Sequence, residues 1–316
     1  MFSFIVALAM YLTASPARPA AAISEFLQPR PRPLPVAAVA AQRGDTSHAP
    51  AKKDASRLGV ETTARAAIAV DWKTGAPLFE KNADEPMAIA SVTKLMTAIV
   101  TLASGPEWRK QVEIGGGDQR AGNVPYLIPG ETVTVEDLFG MSLVASSNEA
   151  TVALARSTGM APEAFVAKMN ETATKIGMTQ STFVEPTGLD GGNKASARDV
   201  ALLIRTALTY PEIQAAVKRR EYSFTAKSGL PHAARSTDEL LGSFLDKAPY
   251  KLLGGKTGFI QEAGYCFGAA AENGDGNRVI AVVLGADSKD LRFKEVKSLI
   301  YWSFDAYEWP KSLSQR

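Results

Sequence analysis

The sequence predicts an α+β fold of three layers, α/β/α, built on an antiparallel sheet of about five strands, rather than a doubly wound parallel sheet. Three observations carry this. Strand-like runs fall at both ends of the folded part and helical runs in its middle. Consecutive strands are joined by short turns, which only antiparallel pairs allow. One central run, "SVTKLMTAIVTLA", is apolar nearly all round, and such a helix needs layers on every side of it. The 316 residues, 46% apolar and 22% charged, supply ample core for this design.

The elements follow in order. "ARAAIAVDWKTGAPLFEKN" reads as strand, turn, strand, with Gly75 closing the turn. The buried helix from Ser91 comes next. "TVEDLFGMSLVA" is a second helix, with Thr134 and Asp137 spaced for a capping box. "SSN" interrupts it, and "EATVALARSTG" resumes as a helix until Gly159. "PEAFVAKMNETATKIG" opens on a first-turn proline and stops at Gly177. "SARDVALLIRTAL" has Ser196 and Asp199 spaced for capping. "LLGGKTGFI", "GYCFGAAA" and "RVIAVVLGA" read as three strands, the last two joined by "ENGDGN". "LRFKEVKSLIYWSFDAY" closes the chain as an amphipathic helix.

The N-terminal part is read separately. "FSFIVALAMYLTA" is too short to span a bilayer comfortably and is followed by small residues in "ARPAAA". Residues 1–22 therefore read as a secretory signal peptide, although no Lys or Arg precedes the apolar run; an uncleaved anchor is the alternative. Residues 23–59, rich in Pro, Ala and charge, predict a disordered tether. The folded domain is expected over 60–316, with no further β domain or membrane anchor after it. The protein is expected outside the cytoplasmic membrane, periplasmic or extracytoplasmic, with no stable membrane insertion after leader cleavage.

Composition excludes several chemistries. A net charge of +2 gives no general pull toward nucleic acid. The single cysteine, Cys266, allows no intramolecular disulfide and no cysteine zinc site, and its apolar strand context reads as a buried small hydrophobe. Of two histidines, His48 falls in the tether and His232 follows turn residues, so surface placement is expected. A multi-histidine metal site is excluded, and a hydrolase built on this chain is not expected to use histidine as its base.

A lysine can serve instead. Ser91 and Lys94, at i and i+3 on a helix, share a face. Ser91 at the helix start has free N–H groups and the positive dipole end nearby. Burial among Leu95, Met96 and Ile99 would lower the Lys94 pKa and make the amine a base for the hydroxyl. Alone, this spacing equally describes a serine cap and a snorkelling lysine. "SSNEA" places Ser146 and Asn148 in a helix break, suited to relaying a proton and holding an amide, or simply to capping. "GGKTGF" puts Lys256, Thr257 and Gly258 at the start of a strand: two groups suited to a carboxylate, and a glycine that lets a substrate backbone approach. The chain holds three such tripeptides. Lys73-Thr74-Gly75 and Lys227-Ser228-Gly229 read as turns, and Lys256 is favoured.

Together, S-x-x-K, S-x-N and K-T-G form the set found in class A β-lactamases and penicillin-binding proteins. The chain resembles the low-molecular-mass penicillin-binding proteins, the D-alanyl-D-alanine carboxypeptidase/endopeptidase family, from about Thr62 to Trp309. "VDWKTGAPLFEKNADEPMAIASVTKLMTA", "LVASSNEATVALA", "FVEPTGLDGGNKASARDVALLI" and "KTGFIQEAGYCF" carry the likeness. The resemblance implies a β-lactamase/transpeptidase-like fold and a peptidoglycan stem peptide ending in D-Ala-D-Ala as substrate. It implies that Ser91 is acylated, Lys94 is its base, and Ser146 and Asn148 assist. Lys256 and Thr257 would meet the terminal carboxylate, with Gly258 beside them as part of the substrate-binding set and Arg198 in support, and the N–H groups of Ser91 and Phe259 would form an oxyanion hole. No metal or organic cofactor is implied, and β-lactams are expected as covalent inhibitors. Carboxypeptidase and endopeptidase action are not separated. The rivals are a β-lactamase using Glu185, against which Leu189 stands where an asparagine would accompany it, a cell-wall scaffold, and an esterase.

Overall fold

The structure, a computed structural model, describes residues 48–120 and 125–310. Its strands are β1 (Ala51–Lys52), β2 (Ala66–Asp71), β3 (Pro77–Lys81), β4 (Met87–Ala88), β5 (Gln111–Glu113), β6 (Thr132–Thr134), β7 (Lys194–Ala195), β8 (Glu221–Thr225), β9 (Pro231–Arg235), β10 (Lys251–Ile260), β11 (Gly264–Glu272), β12 (Arg278–Ala286) and β13 (Tyr307–Glu308). The helices are α1 (Lys94–Ala103), α2 (Val135–Val144), α3 (Asn148–Ser157), α4 (Pro162–Ile176), α5 (Ala197–Ala207), α6 (Pro211–Val217) and α7 (Lys289–Ala306).

The expected five-stranded sheet forms in the order β10-β11-β12-β2-β3, every pair antiparallel. Side chains alternate across it. Ala66, Ile68 and Val70 of β2 and Ile280, Val282 and Leu284 of β12 enter the core under the helical region. Ala67, Ala69, Val279, Ala281 and Val283 enter a second core with Phe293, Val296, Leu299 and Ile300 of α7. Both faces are covered, so these strands read as unbroken apolar runs instead of alternating ones.

Helix α1 is the hub of the helical region. Residues Lys94 to Leu102 are all buried, and α2, α3, α4 and α5 pack around them. The boundaries come from local chemistry. Thr134 and Asp137 make a reciprocal capping box on α2, Ser147 and Ser196 cap α3 and α5, and α4 begins at Pro162 and ends at left-handed Gly177.

Four expectations need correction. The run at Ser91 is not one α-helix: Ala90–Thr93 form a 3-10 turn and α1 begins at Lys94, because Ala90 takes a left-handed φ of 47° and tightens the entry. Helix α6 was not anticipated. His232 is half-buried on β9, bonded to Glu131 at 3.0 Å and stacked on Phe224, because β8 and β9 fold their hairpin against the helical region. Finally, the tether does not run to residue 59. β1 pairs with β13, Lys53 N donates to Ala306 O at 2.9 Å, and Trp302 Nε1 donates to Leu58 O at 3.0 Å. The end of α7 thus offers backbone and indole partners to a segment whose own side chains, such as Leu58 at 86% exposure, stay outside. The expected leader at 1–22 and residues 23–47 of the tether lie outside the described residues.

Candidate active site

Three segments, far apart in sequence, meet beside the end of β10. The first is the turn at Ser91. Left-handed Ala90 fits there because Gly188 lies against it: a Cβ on Gly188 would fall 1.9 Å from Ala90 O. One residue into α1, the Lys94 side chain is completely buried. Its Nζ lies 2.8 Å from Ser91 Oγ, 2.8 Å from Asn148 Oδ1 and 2.7 Å from Thr187 O.

Counting hydrogens on Lys94 defines what this cluster can do. Asn148 Oδ1 and Thr187 O can only accept. A neutral amine has two N–H groups, one for each, and a single lone pair. That lone pair is left facing Ser91 Oγ, which can donate its O–H. Burial pushes the Lys94 ammonium down to about 7, and the more distant charges of Glu185 and Glu149 partly oppose this. A neutral Lys94 in this position has the geometry to accept a proton from Ser91.

The second segment is the break between α2 and α3. Ser146 is left-handed, with φ 58°, an uncommon state for a residue with a Cβ. It lets the chain reverse so that Asn148 opens α3 facing Lys94 while Ser146 Oγ accepts from Lys256 Nζ at 2.9 Å. Glu149, next in line, accepts from Tyr126 N at 2.6 Å and from Leu127 N at 3.3 Å, tying the loop at 125–127 to α3.

The third segment is β10. Lys256 is buried and also donates to its neighbour's carbonyl, Thr257 O, at 3.0 Å. Thr257 Oγ1 meets Thr237 Oγ1 at 2.6 Å. Gly258 is required by close approach: a Cβ there would sit 2.7 Å from Ile89 O and 3.1 Å from Ser91 N. Phe259, half-exposed at the rim, stacks on Tyr265 with centroids 4.4 Å apart.

Ser91, Lys94, Ser146, Asn148, Lys256, Thr257, Gly258 and Phe259 thus converge. Arg198 does not. It pairs with Asp84 and Glu80, beside β3, at the opposite edge of the sheet from β10. Its position at the start of α5 fixes it there, since Arg198 N donates to Ala83 O at 3.0 Å. The arginine that reaches the strand is Arg292 of α7, buried, with Nη1 3.1 Å from Gly258 O. No sequence motif marked it, because α7 packs on β11 and β12 and brings Arg292 to the end of β10 only in the folded chain.

Glu185 is an anchor. Its carboxylate accepts from Thr187 N at 2.7 Å, Thr187 Oγ1 at 2.6 Å, Gly188 N, and Asn193 Nδ2 at 2.6 Å. These bonds fold the loop that aims the Thr187 carbonyl at Lys94. A carboxylate so fully engaged is poorly placed to activate water, which weighs against the β-lactamase reading.

The other two tripeptides are turns, as expected. Thr74 bonds Asp71 Oδ2 through N and Oγ1, both at 2.7 Å, and Gly75 has φ 72°. Gly229, with φ 90°, lies between β8 and β9. Cys266 is fully buried, and burial pushes its thiol up to about 11.

Comparison with known proteins agrees with this geometry. The D-alanyl-D-alanine carboxypeptidase family of peptidases S11 matches residues 50–288. The chain is 36% identical over 258 residues to the D-alanyl-D-alanine carboxypeptidase DacC of Escherichia coli K12, covering 78% of this chain and 62% of that protein's length. It is 30% identical over 263 residues to the D-alanyl-D-alanine endopeptidase of Pseudomonas aeruginosa, covering 81% of this chain and 82% of that protein. The solved structure of Penicillin-Binding Protein D2 from Listeria monocytogenes in its ampicillin-bound form superposes with a TM-score of 0.68 at 32% identity, over 78% of this chain and all of that one. With its sheet, its serine paired to a buried lysine and these relatives taken together, the chain belongs to the D-alanyl-D-alanine carboxypeptidase family, peptidase S11.

Proposed function

We propose that the protein is a serine-type D-alanyl-D-alanine carboxypeptidase that acts on peptidoglycan stem peptides through an acyl-enzyme on Ser91. The observation that carries this is the completely buried Lys94 Nζ, 2.8 Å from Ser91 Oγ. Lys94 takes the hydroxyl proton as Ser91 Oγ attacks the carbonyl between the two D-alanines. The N–H groups of Ser91 and Phe259 receive the developing oxyanion. Ser146 passes a proton to the departing D-alanine amine, and water then releases the shortened peptide from Ser91. Lys256 and Thr257 receive the terminal carboxylate.

The names of the relatives support the substrate class, and the ampicillin-bound neighbour supports β-lactams as covalent inhibitors. A second reading, cleavage of cross-links between stem peptides, is favoured by the similarity to an endopeptidase along 82% of that protein's length. The reaction belongs outside the cytoplasmic membrane, where a leader at 1–22 would deliver the protein. No helix among the described residues is long and apolar enough to cross a membrane.

Intact-protein mass spectrometry after incubation with benzylpenicillin tests the reading. A stable adduct on the native chain that is absent from Ser91→Ala is expected. Penicillin destroyed without an adduct would mean a β-lactamase, and penicillin left intact a binding protein. Release of D-alanine from a pentapeptide, against cleavage of a cross-linked dimer, separates the two peptidase activities.

A further inference from the structure

The two lysines of the cleft are buried alike but are neutralised differently. Glu185 and Glu149 act on Lys94. Lys256 has two further cations near it, Lys94 and Arg292, and the acid that acts on it is Asp238. Among the described residues no carboxylate is bonded to its Nζ, whose partners are Ser146 Oγ and Thr257 O.

Asp238 is held against β10 by its own segment. The preceding residue, Thr237, donates from its N to Val144 O at 3.1 Å and meets the Thr257 hydroxyl through its own at 2.6 Å. The Asp238 side chain is buried, and Oδ1 accepts from Leu240 N at 2.8 Å. Its Oδ2 is buried with no hydrogen-bond partner among the described residues, and so is Nε of Arg292. An interior carboxylate with a bare oxygen is costly unless neighbouring charge compensates it. The charges that face Asp238 are Lys256 from β10, Arg292 from α7 and, opposing them, Asp246 from the turn at 244–246. Glu239 beside it is engaged by Lys289 at 2.6 Å.

We propose that Asp238 is a positioning residue, the counter-charge that keeps Lys256 an ammonium so that the cleft presents a cation to the terminal carboxylate of a stem peptide or β-lactam. The ligand's identity rests on the peptidase reading above; the placing of the buried Asp238 against β10, through the Thr237–Thr257 contact, rests on the structure. Burial pushes Asp238 up to about 7, and burial together with Lys94 and Arg292 holds Lys256 well below the usual lysine range. An ionised Asp238 therefore favours the Lys256 ammonium, and removing that charge lets Lys256 lose its proton at lower pH.

Asp238→Asn keeps the shape and the bond to Leu240 N but removes the charge. Acylation rates are measured across pH with benzylpenicillin, which carries a free carboxylate, and with its methyl ester, which does not. The variant should lose roughly tenfold with benzylpenicillin and no more than about twofold with the ester, and its alkaline limb with benzylpenicillin should move down by about one pH unit. Equal losses with both compounds, or an unmoved limb, would overturn the inference. If the variant does not fold, the native protein still decides. Its preference for the free acid over the ester should hold at acid pH and fall as pH rises and Lys256 loses its proton, and a preference that rises or stays flat from roughly pH 6 to 10 overturns the proposal. A native chain acylated by neither compound sinks the peptidase reading and this inference with it. Normal native acylation with an unaffected variant sinks the inference alone.

Discussion

Lys94 starts a helix and Lys256 lies inside a strand, yet both side chains end completely buried in one cleft, each within 3 Å of a serine hydroxyl. Their surroundings differ. Lys94 has two pure acceptors, Asn148 Oδ1 and Thr187 O, that use up the N–H groups of a neutral amine, and two acids at a distance that keep its pKa near 7 and no lower. Lys256 has two cations nearby and the acid Asp238 acting on it. Burial alone would make both neutral. On the reading proposed above, the company each keeps leaves one poised to take a proton near neutral pH and the other charged to meet an anion.

The contrast can be broken most sharply at Lys94. Lys94→Ala should lower the acylation rate by roughly a thousandfold or more, the scale of removing a general base. Acylation of that variant at the native rate would remove Lys94 from the mechanism. Lys94→Met, of similar volume, should abolish acylation and also raise stability by about 2–4 kcal/mol near neutral pH, read by denaturant unfolding. The native lysine has its folded pKa depressed to about 7 from 10.5, so between those values the unfolded chain binds the extra proton. Native stability should therefore rise with pH across that window, and the rise should vanish in Lys94→Met.

Lys256→Ala should leave the serine–lysine pair intact and cost roughly a hundredfold with carboxylate-bearing β-lactams, the scale of removing one electrostatic donor. A loss equal to that of Lys94→Ala would mean that the two lysines are not doing separate jobs. Smaller still is the effect expected at Glu149. Its charge raises the Lys94 pKa, so Glu149→Gln, which keeps an accepting oxygen for Tyr126 N, should move the acid limb of acylation to lower pH by roughly half a unit. A limb that moves upward, or stays, contradicts the assignment of that limb to Lys94. At the far edge of the sheet, Arg198→Ala should change acylation by less than about twofold, because Asp84 and Glu80 already engage the guanidinium.

Much of this was legible in the chain before it was folded. The strand runs were unbroken because both faces of the sheet are covered, and the helix ends carried their capping residues, so the layer order could be read. Ser91 and Lys94 were legible because a contact three residues apart on one helix face is local. That Ala51–Lys52, inside the expected tether, join a strand pair was not legible. The pairing of Ala51–Lys52 with Tyr307–Glu308 is made by backbone, which composition does not record.

The sequence by itself determined the sheet, the buried hub helix and the serine, lysine and asparagine that line the cleft, since periodicity, caps and short-range spacing are local properties. It wrote the K-[ST]-G pattern three times and could rank the copies only by their flanking residues. Tertiary structure decided that Lys256 enters the cleft, because Gly258 lets β10 lie against Ile89 and Ser91. It also decided that Arg292 and not Arg198 reaches that strand, that a loop carbonyl at Thr187 completes the partners of Lys94, and that Asp238 is buried next to Thr237, which meets Thr257 of β10. These last choices rest on charge and hydrogen bonding between segments more than fifteen residues apart, and such contacts come into being only when the layers close.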